Sequence, residues 1–321
     1  MKVRFGILGA GRIAERFAAV ARGSESAEVV TVAARDEERA AAFAARTGIP
    51  RHCGSYRDLV SDPEVDAVYI ATTHNFHLEQ AALCLEGGKA VLCEKPMATT
   101  KAEVETLAAL SRSKGVLLME AMWTRCLPSF RRAREWVREG RIGAPRLVEA
   151  AFCLNAPFDP KDRLFDPALA GGALLDAGVY PIEFATGILG EHPSSVRGVA
   201  HIGETGVDYF DSMSLLFPSG AVASLACGIT AYAPRDARVA GDSGYVTVYD
   251  FLGSRKCELF DTQGRPLEFF HSDFEDGFIF EIEHFAELFR AGRIESELIP
   301  LADTLVCAGV FDELRSGLGK R

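Results

Sequence analysis

The sequence predicts a mixed α/β protein in two parts, a parallel α/β domain followed by an α+β domain carrying an antiparallel sheet. Three observations predict it. The chain has 321 residues, about twice the size of a usual single domain. Its first third alternates short, near-continuous apolar runs with helical patterns, as expected of a parallel sheet covered on both faces. Beyond Pro128 the segments lengthen and alternate apolar with polar residues, as strands of an antiparallel sheet do.

The elements follow in order. Strands are expected at Val3–Leu8, 29–34, 67–71, 90–93 and 116–119, each an apolar run of strand length. Between them, helical patterns cover Arg12–Ala21, Glu37–Thr47, Tyr56–Ser61, His77–Glu86 and Lys101–Lys114. In the second part a helix is expected at 130–139 and a strand at 146–154. Segments 212–217 and 221–228 flank Pro218-Ser219-Gly220, a hairpin turn by composition. Segments 245–249 and 256–260 surround a turn at Gly253 in the same way. A helical stretch at 173–189 interrupts this β-rich half, and helices return at 280–291 and 302–316.

Hydrophobic residues make up 48% of the chain and charged residues 25%, a balance that excludes a disordered tail, a collagen-like repeat or a disulfide-knotted miniprotein. No stretch approaches the roughly 20 uninterrupted apolar residues of a membrane span. The net charge of −10 argues against affinity for nucleic acid or anionic membranes, yet permits a locally positive pocket for a phosphorylated ligand. The eight cysteines (Cys53, Cys84, Cys93, Cys126, Cys153, Cys227, Cys257 and Cys307) are scattered without a C-x-x-C pair, which speaks against a zinc ribbon or redox dithiol. The apolar core of residues 1–8 is too short for a signal peptide, and the reading is a first strand in a cytoplasmic protein with reduced thiols.

Gly9-Ala10-Gly11-Arg12-Ile13-Ala14 follows the first strand at once and opens a helix. The first glycine permits the tight turn, and the second lets the backbone approach a pyrophosphate. Ala14 allows close helix–sheet packing, and the helix N-terminus offers unpaired N–H groups. In this strand-turn-helix setting the G-x-G-x-x-A pattern is a dinucleotide fingerprint, with Gly9, Gly11, Arg12 and Ile13 at the cofactor. The second strand ends Val32-Ala33-Ala34-Arg35-Asp36. An NAD site places a carboxylate at that tip, whereas an NADP site places an arginine nearby for the 2′-phosphate. Ala34 carries no carboxylate, and Asp36 is better explained as the N-cap of the next helix. Arg35 therefore points to NADP.

Cys93-Glu94-Lys95-Pro96 lies at the C-terminal end of a strand, where open α/β sheets place their ligands. Lys95 there can reach a substrate hydroxyl or lower a neighbouring acid's pKa, with Glu94 beside it at the cofactor. Thr72-Thr73-His74-Asn75-Phe76-His77, at the tip of the preceding strand, borders the same crevice. Thr72, His74 and His77 are candidates for cofactor or substrate contact or for structural roles; with no third ligand nearby, no metal is expected. In the second half, Gly171-Gly172-Ala173-Leu174-Leu175-Asp176-Ala177-Gly178-Val179-Tyr180-Pro181 is the densest constellation. On a helix, Asp176 and Tyr180 share a face, and Pro181 either kinks that helix or sits in the first turn of a new one. A tyrosine serves as general acid/base when a cation lowers its pKa from about 10, and Lys95 is the candidate cation. Packing for Tyr180 and capping for Asp176 would use the same residues.

Taken together, residues 9–14, Glu94-Lys95-Pro96 and Asp176-x-Gly178-x-Tyr180 resemble the Gfo/Idh/MocA oxidoreductase family, and in particular its branch of dihydrodiol and D-xylose dehydrogenases. Val32-Ala33-Ala34-Arg35-Asp36, Gly54-Ser55-Tyr56, Leu118-Met119-Glu120-Ala121-Met122-Trp123-Thr124-Arg125, Glu204-Thr205-Gly206-Val207-Asp208 and Ile299-Pro300-Leu301-Ala302 extend the likeness over essentially the whole chain. The resemblance implies a Rossmann domain over 1–122 and a substrate-binding and dimerisation domain over 123–321. It also implies a large open antiparallel sheet in that second domain and a last helix packed back on the first. Many relatives carry histidine where this chain has Tyr180; the tyrosine matches the diol-dehydrogenase branch. Lys95 and Tyr180 are implied in catalysis, with Arg35 on the 2′-phosphate. Trp123, Phe152 and Phe158 are implied as an aromatic substrate wall, while the segment around Phe278 and Phe280 departs from the family's pattern.

The expected activity is hydride transfer between NADP and a secondary or anomeric alcohol of a sugar or cyclic diol. Tyr180 takes the hydroxyl proton, Lys95 holds the hydroxyl, and Asp176 orients substrate or ribose. The alternatives are a non-catalytic NADP or sugar sensor of the same fold, or a sugar or inositol dehydrogenase or reductase of the wider family. A homodimer through the sheet is expected, because segment 212–217 places apolar residues on both faces and such a patch is unfavourable in water.

Overall fold

The apolar run Val3–Leu8 forms β1, whose side chains are buried on both faces apart from Arg4. Parallel strands follow on either side of it: β2 (Ala27–Ala33), β3 (Arg51–Cys53), β4 (Ala67–Ile70), β5 (Ala90–Glu94) and β6 (Leu118–Ala121). The order is β3-β2-β1-β4-β5-β6, so the sheet reverses direction between β1 and β4 and opens a crevice at their carboxyl ends. The crossovers are α1 (Arg12–Ala21), α2 (Glu37–Thr47), α3 (Tyr56–Ser61), α4 (His77–Glu86) and α5 (Lys101–Lys114). Asp36 caps α2, its carboxylate accepting the Arg39 N–H at 2.8 Å. That removes it as a free acid at the β2 tip.

The structure, a computed structural model, describes residues 1–318 and divides into two units. After β6 the chain enters the second unit through α6 (Trp123–Cys126) and α7 (Pro128–Arg138). It continues with β7 (Pro145–Cys153), α8 (Val179–Leu189), β8 (Ser195–Ile202), β9 (Asp208–Leu216) and β10 (Val222–Gly228). Then come β11 (Ala237–Gly241), β12 (Gly244–Val248), β13 (Lys256–Asp261), β14 (Pro266–His271), α9 (Phe278–Arg290) and α10 (Leu301–Leu318). The first unit comprises Met1–Ala98, Ala102–Trp123 and Phe278–Leu301. The chain thus returns to it through α9, while α10 from Ala302 onward belongs to the second unit. Phe285 of α9 packs on Phe5 of β1, with ring centroids 5.3 Å apart. Ser24 Oγ donates to Glu283, and the Leu118 N–H at the β6 edge donates to the Ile294 carbonyl.

The second unit is built on an eight-stranded sheet of order β14-β13-β12-β11-β7-β10-β9-β8, antiparallel except for the β7–β10 pair. Both expected hairpins are present, as β9–β10 and β12–β13. Helices α7 and α8 cover one face, where Phe130, Phe184 and Phe251 meet edge to face. On the other face the register aligns Val199, Ser212, Ala226 and Ala151 in one row and Leu216, Val222 and Leu147 in another. Segment 212–217 does put apolar residues on both faces, with a single one, Leu216, on the outward side. The residues of β9 that point outward are Ser212, Ser214 and Leu216, and its apolar Met213 and Leu215 are buried. Strand alternation sends the two serines outward with Leu216, and the other exposed apolar residues come from the neighbouring strands: Val199, Ile202 and Val222.

The stretch expected as one helix at 173–189 is helical throughout, with a π turn near its start. Leu174–Gly178 forms a π turn that runs on into α8 at Val179 through helical backbone. Pro181 accounts for the π geometry, because it lacks the N–H that a regular ladder with the preceding turn would use.

Candidate active site

Between β1 and α1 the chain turns at Gly9, whose φ of 103° is open to glycine and strained for other residues. A Cβ there would lie 2.9 Å from the Ala71 carbonyl oxygen. At Gly11, by contrast, the nearest atom to an added Cβ is 4.0 Å away, and no side chain caps the helix it begins. The result is a cradle whose backbone N–H groups face outward at a helix N-terminus, a site for pyrophosphate. Arg12 is exposed and Ile13 half-buried beside this turn. At the tip of β2, Arg35 and Arg39 are both exposed and both act on the half-buried Tyr56, whose phenol burial pushes up and the two cations pull down. A paired cationic surface with its nearest acid engaged as a helix cap suits a phosphorylated ribose. The residues present therefore fit a dinucleotide.

Lys95 follows β5 directly, and its neighbourhood is fixed by two buried groups. The Tyr69 hydroxyl donates to Glu94 Oε1, while the Lys95 N–H donates to Glu94 Oε2 at 3.2 Å. Burial pushes the Glu94 carboxyl up, and the Tyr69 bond with the Lys95 and Arg16 charges draws it back. Phe17 stacks on Tyr69 at 3.8 Å between centroids, which locks the ring. Beyond the cis Lys95–Pro96 bond, the Met97 N–H donates to buried Glu120 at 2.8 Å. Thr72 donates to Gln80 at 2.6 Å.

His77 is fully enclosed, with Nδ1 2.9 Å from the Pro96 carbonyl oxygen and Nε2 3.2 Å from that of Thr72. Burial, with the nearby His74 and Lys95 charges, lowers its pKa to about 4 against the pull of the two carbonyls. The neutral ring carries one N–H and so donates to one of the two carbonyls at a time, bridging the Thr72 and Pro96 segments from inside. His74 is also buried, its ring 6.4 Å from that of His77. Among the described residues no group of three or more His, Cys, Asp or Glu is arranged to hold a metal. Trp123 meets Phe278 edge to face at 5.2 Å, and the Arg16 guanidinium lies 3.9 Å from the Phe278 ring centre and 4.9 Å from that of Trp123. Phe278, which departs from the expected pattern, is thus the partner of Trp123.

In the second unit the π turn carries Asp176 and leads into Tyr180 at the second residue of α8. Asp176 is buried and accepts from Arg163 Nη1 at 2.7 Å. Although burial opposes its charge, the Asp176 contact holds the Arg163 guanidinium above its ordinary range, and Tyr180 adds to that. Arg163 is therefore a cation within electrostatic reach of Tyr180 in this unit. Tyr180 is half-buried and meets Phe152 edge to face at 5.4 Å. Phe158, half-exposed, packs on Phe165 at 5.1 Å. Lower in α8, the buried Arg125 guanidinium bonds the Glu183 carbonyl, Thr186 Oγ1 and the Glu183 and Asp303 carboxylates. This anchors the helix that begins with Tyr180. Sequence reasoning missed Arg163, Arg16, Arg39 and Tyr69; Arg163 and Tyr69 gave no local signal because their partners lie elsewhere in the chain.

Fold and site define an oxidoreductase built on a dinucleotide-binding domain, and comparison with known proteins agrees. Residues 3–122 match the family model described as an oxidoreductase family with an NAD-binding Rossmann fold, and residues 130–247 match the GFO/IDH/MocA C-terminal domain. The chain belongs to the GFO/IDH/MocA oxidoreductase family. It is 38% identical to the trans-1,2-dihydrobenzene-1,2-diol dehydrogenase of Mus musculus and 37% identical to that of Homo sapiens, in each case over 99% of this chain and 98% of the relative. Among solved structures it resembles an aldose-aldose oxidoreductase from Caulobacter crescentus complexed with glycerol (TM-score 0.88, 26% identity). It also resembles a 3-ketoreductase from Actinomadura kijaniata in complex with NADP and TDP-benzene (TM-score 0.86, 28% identity). Each match covers 99% of this chain and 98% of the other.

Proposed function

We propose that the protein is an NADP-dependent dehydrogenase that oxidises a secondary or anomeric alcohol of a sugar or cyclic diol, or reduces the corresponding carbonyl. The observation that carries the reading is Tyr180 at the start of α8, flanked by the Arg163–Asp176 ion pair. A phenol beside a guanidinium can give up and regain a proton, which an alcohol-to-carbonyl conversion needs. Gly9, Gly11, Arg12 and Ile13 would hold the pyrophosphate, and Arg35 with Arg39 the 2′-phosphate. Hydride exchange is the chemistry that a bound nicotinamide supplies.

The chain's own residues do the rest. Tyr180 accepts the substrate hydroxyl proton in oxidation and returns it in reduction. Lys95, its backbone fixed by Glu94, holds the same hydroxyl by an ammonium hydrogen bond. Asp176, held by Arg163, orients substrate hydroxyls, and Phe152 walls the site beside Tyr180. The diol dehydrogenases and sugar oxidoreductases among the relatives support this substrate class. A homodimer through the open sheet face and a cytoplasmic location, with which eight cysteines outside any disulfide are consistent, belong to the same proposal.

The test is Tyr180→Phe assayed with NADP⁺ and a panel of pyranoses and cyclic diols. Turnover should fall by about 10²–10⁴-fold, the scale of a general acid–base contribution, while NADP⁺ still binds. Undiminished turnover would remove Tyr180 from the mechanism.

A further inference from the structure

The second unit contains an acid pair that the proposed chemistry does not use. Strand β9 pairs with β8 in a register that slips between His201 and Ile202, so that Phe210 faces His201 and Asp208 faces Ile202. Tyr209 is left over as a β-bulge. A regular strand would point Asp208 and Asp211 to opposite faces; the bulge turns both to the same one. They lie close enough there for the Asp208 charge to act on the buried Asp211 carboxyl. Two like charges this near each other in a buried setting disfavour double ionisation, so one carboxyl keeps its proton.

Each acid has a further contact. Asp208 Oδ2 accepts the Leu174 N–H at 2.6 Å, at the first residue of the π turn that bears Asp176. The positive-φ Gly172 lies so close that a Cβ there would be 2.3 Å from Asp208 Oδ1. Asp211 faces Cys227, directly opposite on β10, whose Sγ lies 3.6 Å from Asp211 Oδ2. An added Cβ at Gly178, the last residue of the π turn, would lie 3.0 Å from that sulfur. The carboxyls and thiol thus underlie the turn at both ends.

We propose that Asp208 and Asp211 are positioning residues for the reaction, sharing one proton so that Asp208 can grip the Leu174 N–H and fix the turn that presents Asp176 and leads into Tyr180. This rests on the functional reading above, in which Asp176 and Tyr180 meet substrate. The titratable groups that face Asp211 are Asp208 on its own strand and Cys227 on β10, with Cys153 of β7 behind Cys227. Strand β8 sets Ala200 opposite it, and Asp176 in the turn above is paired with Arg163. Burial and the Asp208 charge push the Asp211 carboxyl up to about 8, so the pair keeps its proton at neutral pH and loses it in mild alkali. Two carboxylates then repel beneath the turn.

The experiment combines kinetics with infrared spectroscopy on the full-length protein. A protonated-carboxyl band should be present at neutral pH, disappear with a midpoint near pH 8, and be missing in Asp211→Asn. Asp211→Ala should lower kcat by about tenfold, the scale of one lost buried hydrogen bond, with the KM for NADP⁺ unchanged. Asp211→Asn, whose amide donates to Asp208 at every pH, should recover that loss and remove the alkaline decline in kcat. A wild-type spectrum lacking the band overturns the shared proton. Asp211→Ala turning over like the wild type, or Asp211→Asn retaining the alkaline decline, overturns the positioning role. The band does not depend on turnover, so an active Tyr180→Phe variant would defeat the functional reading without deciding this one.

Discussion

His77 shows how a side chain that looks functional in sequence serves the site indirectly. Its two ring nitrogens lie beside the Thr72 and Pro96 carbonyls, of which the neutral ring can donate to one, and the ring is buried. A histidine whose folded pKa lies near 4, against about 6.5 unfolded, stabilises the fold fully above pH 6.5 and loses that contribution as pH falls toward 4. Over that interval stability should fall by up to about 3 kcal/mol from this group alone. Urea unfolding of His77→Gln should show a shallower acid slope than the wild type; identical slopes would mean that His77 takes up its proton at the same pH folded and unfolded. Gly9, Lys95, Asp176 and Tyr180 could be singled out from sequence because their types are chemically telling at a strand tip or a glycine-rich turn. Their supports could not. Tyr69 lies 25 residues from Glu94 and Asp208 34 from Leu174, distances only the fold closes.

At the scale of elements, α8 depends on a cation from outside itself. Gly187 leaves the room in which Arg125 sits, since an added Cβ would lie 2.7 Å from the guanidinium Nε. Two effects compete in Gly187→Ala. Helix propensity favours alanine by about 1 kcal/mol, whereas displacing a buried ion pair costs about 3–5 kcal/mol. The second wins, and the variant should lose about 2–4 kcal/mol net and melt several degrees lower in calorimetry. A raised Tm would show that Arg125 moves aside freely. Periodicity revealed the helices of the first domain and both hairpins, because apolar spacing is a local property. It missed β3, only three residues long and largely exposed, and the π turn, whose hydrogen-bond pattern has no apolar spacing of its own.

For the whole molecule, the open sheet face decides the expected assembly. Its rows of Ser212, Ala226 and Ala151 are small enough for close approach, and Val199, Leu216 and Val222 stand exposed among them. A self-complementary patch of this kind suits a two-fold pair. Val199→Glu combined with Val222→Glu should convert a dimer to a monomer in sedimentation at micromolar concentration, with the core intact. A wild-type monomer under those conditions would remove the dimer from the proposal. The return of the chain through α9 has a consequence for biosynthesis. The portion synthesised first emerges from the ribosome without Phe285 against Phe5 and without the Ile294 carbonyl on its sheet edge. About 180 further residues must be translated before that wall arrives, roughly 10–35 s at ordinary elongation rates. The nucleotide-binding half is therefore first to be made and among the last to be finished.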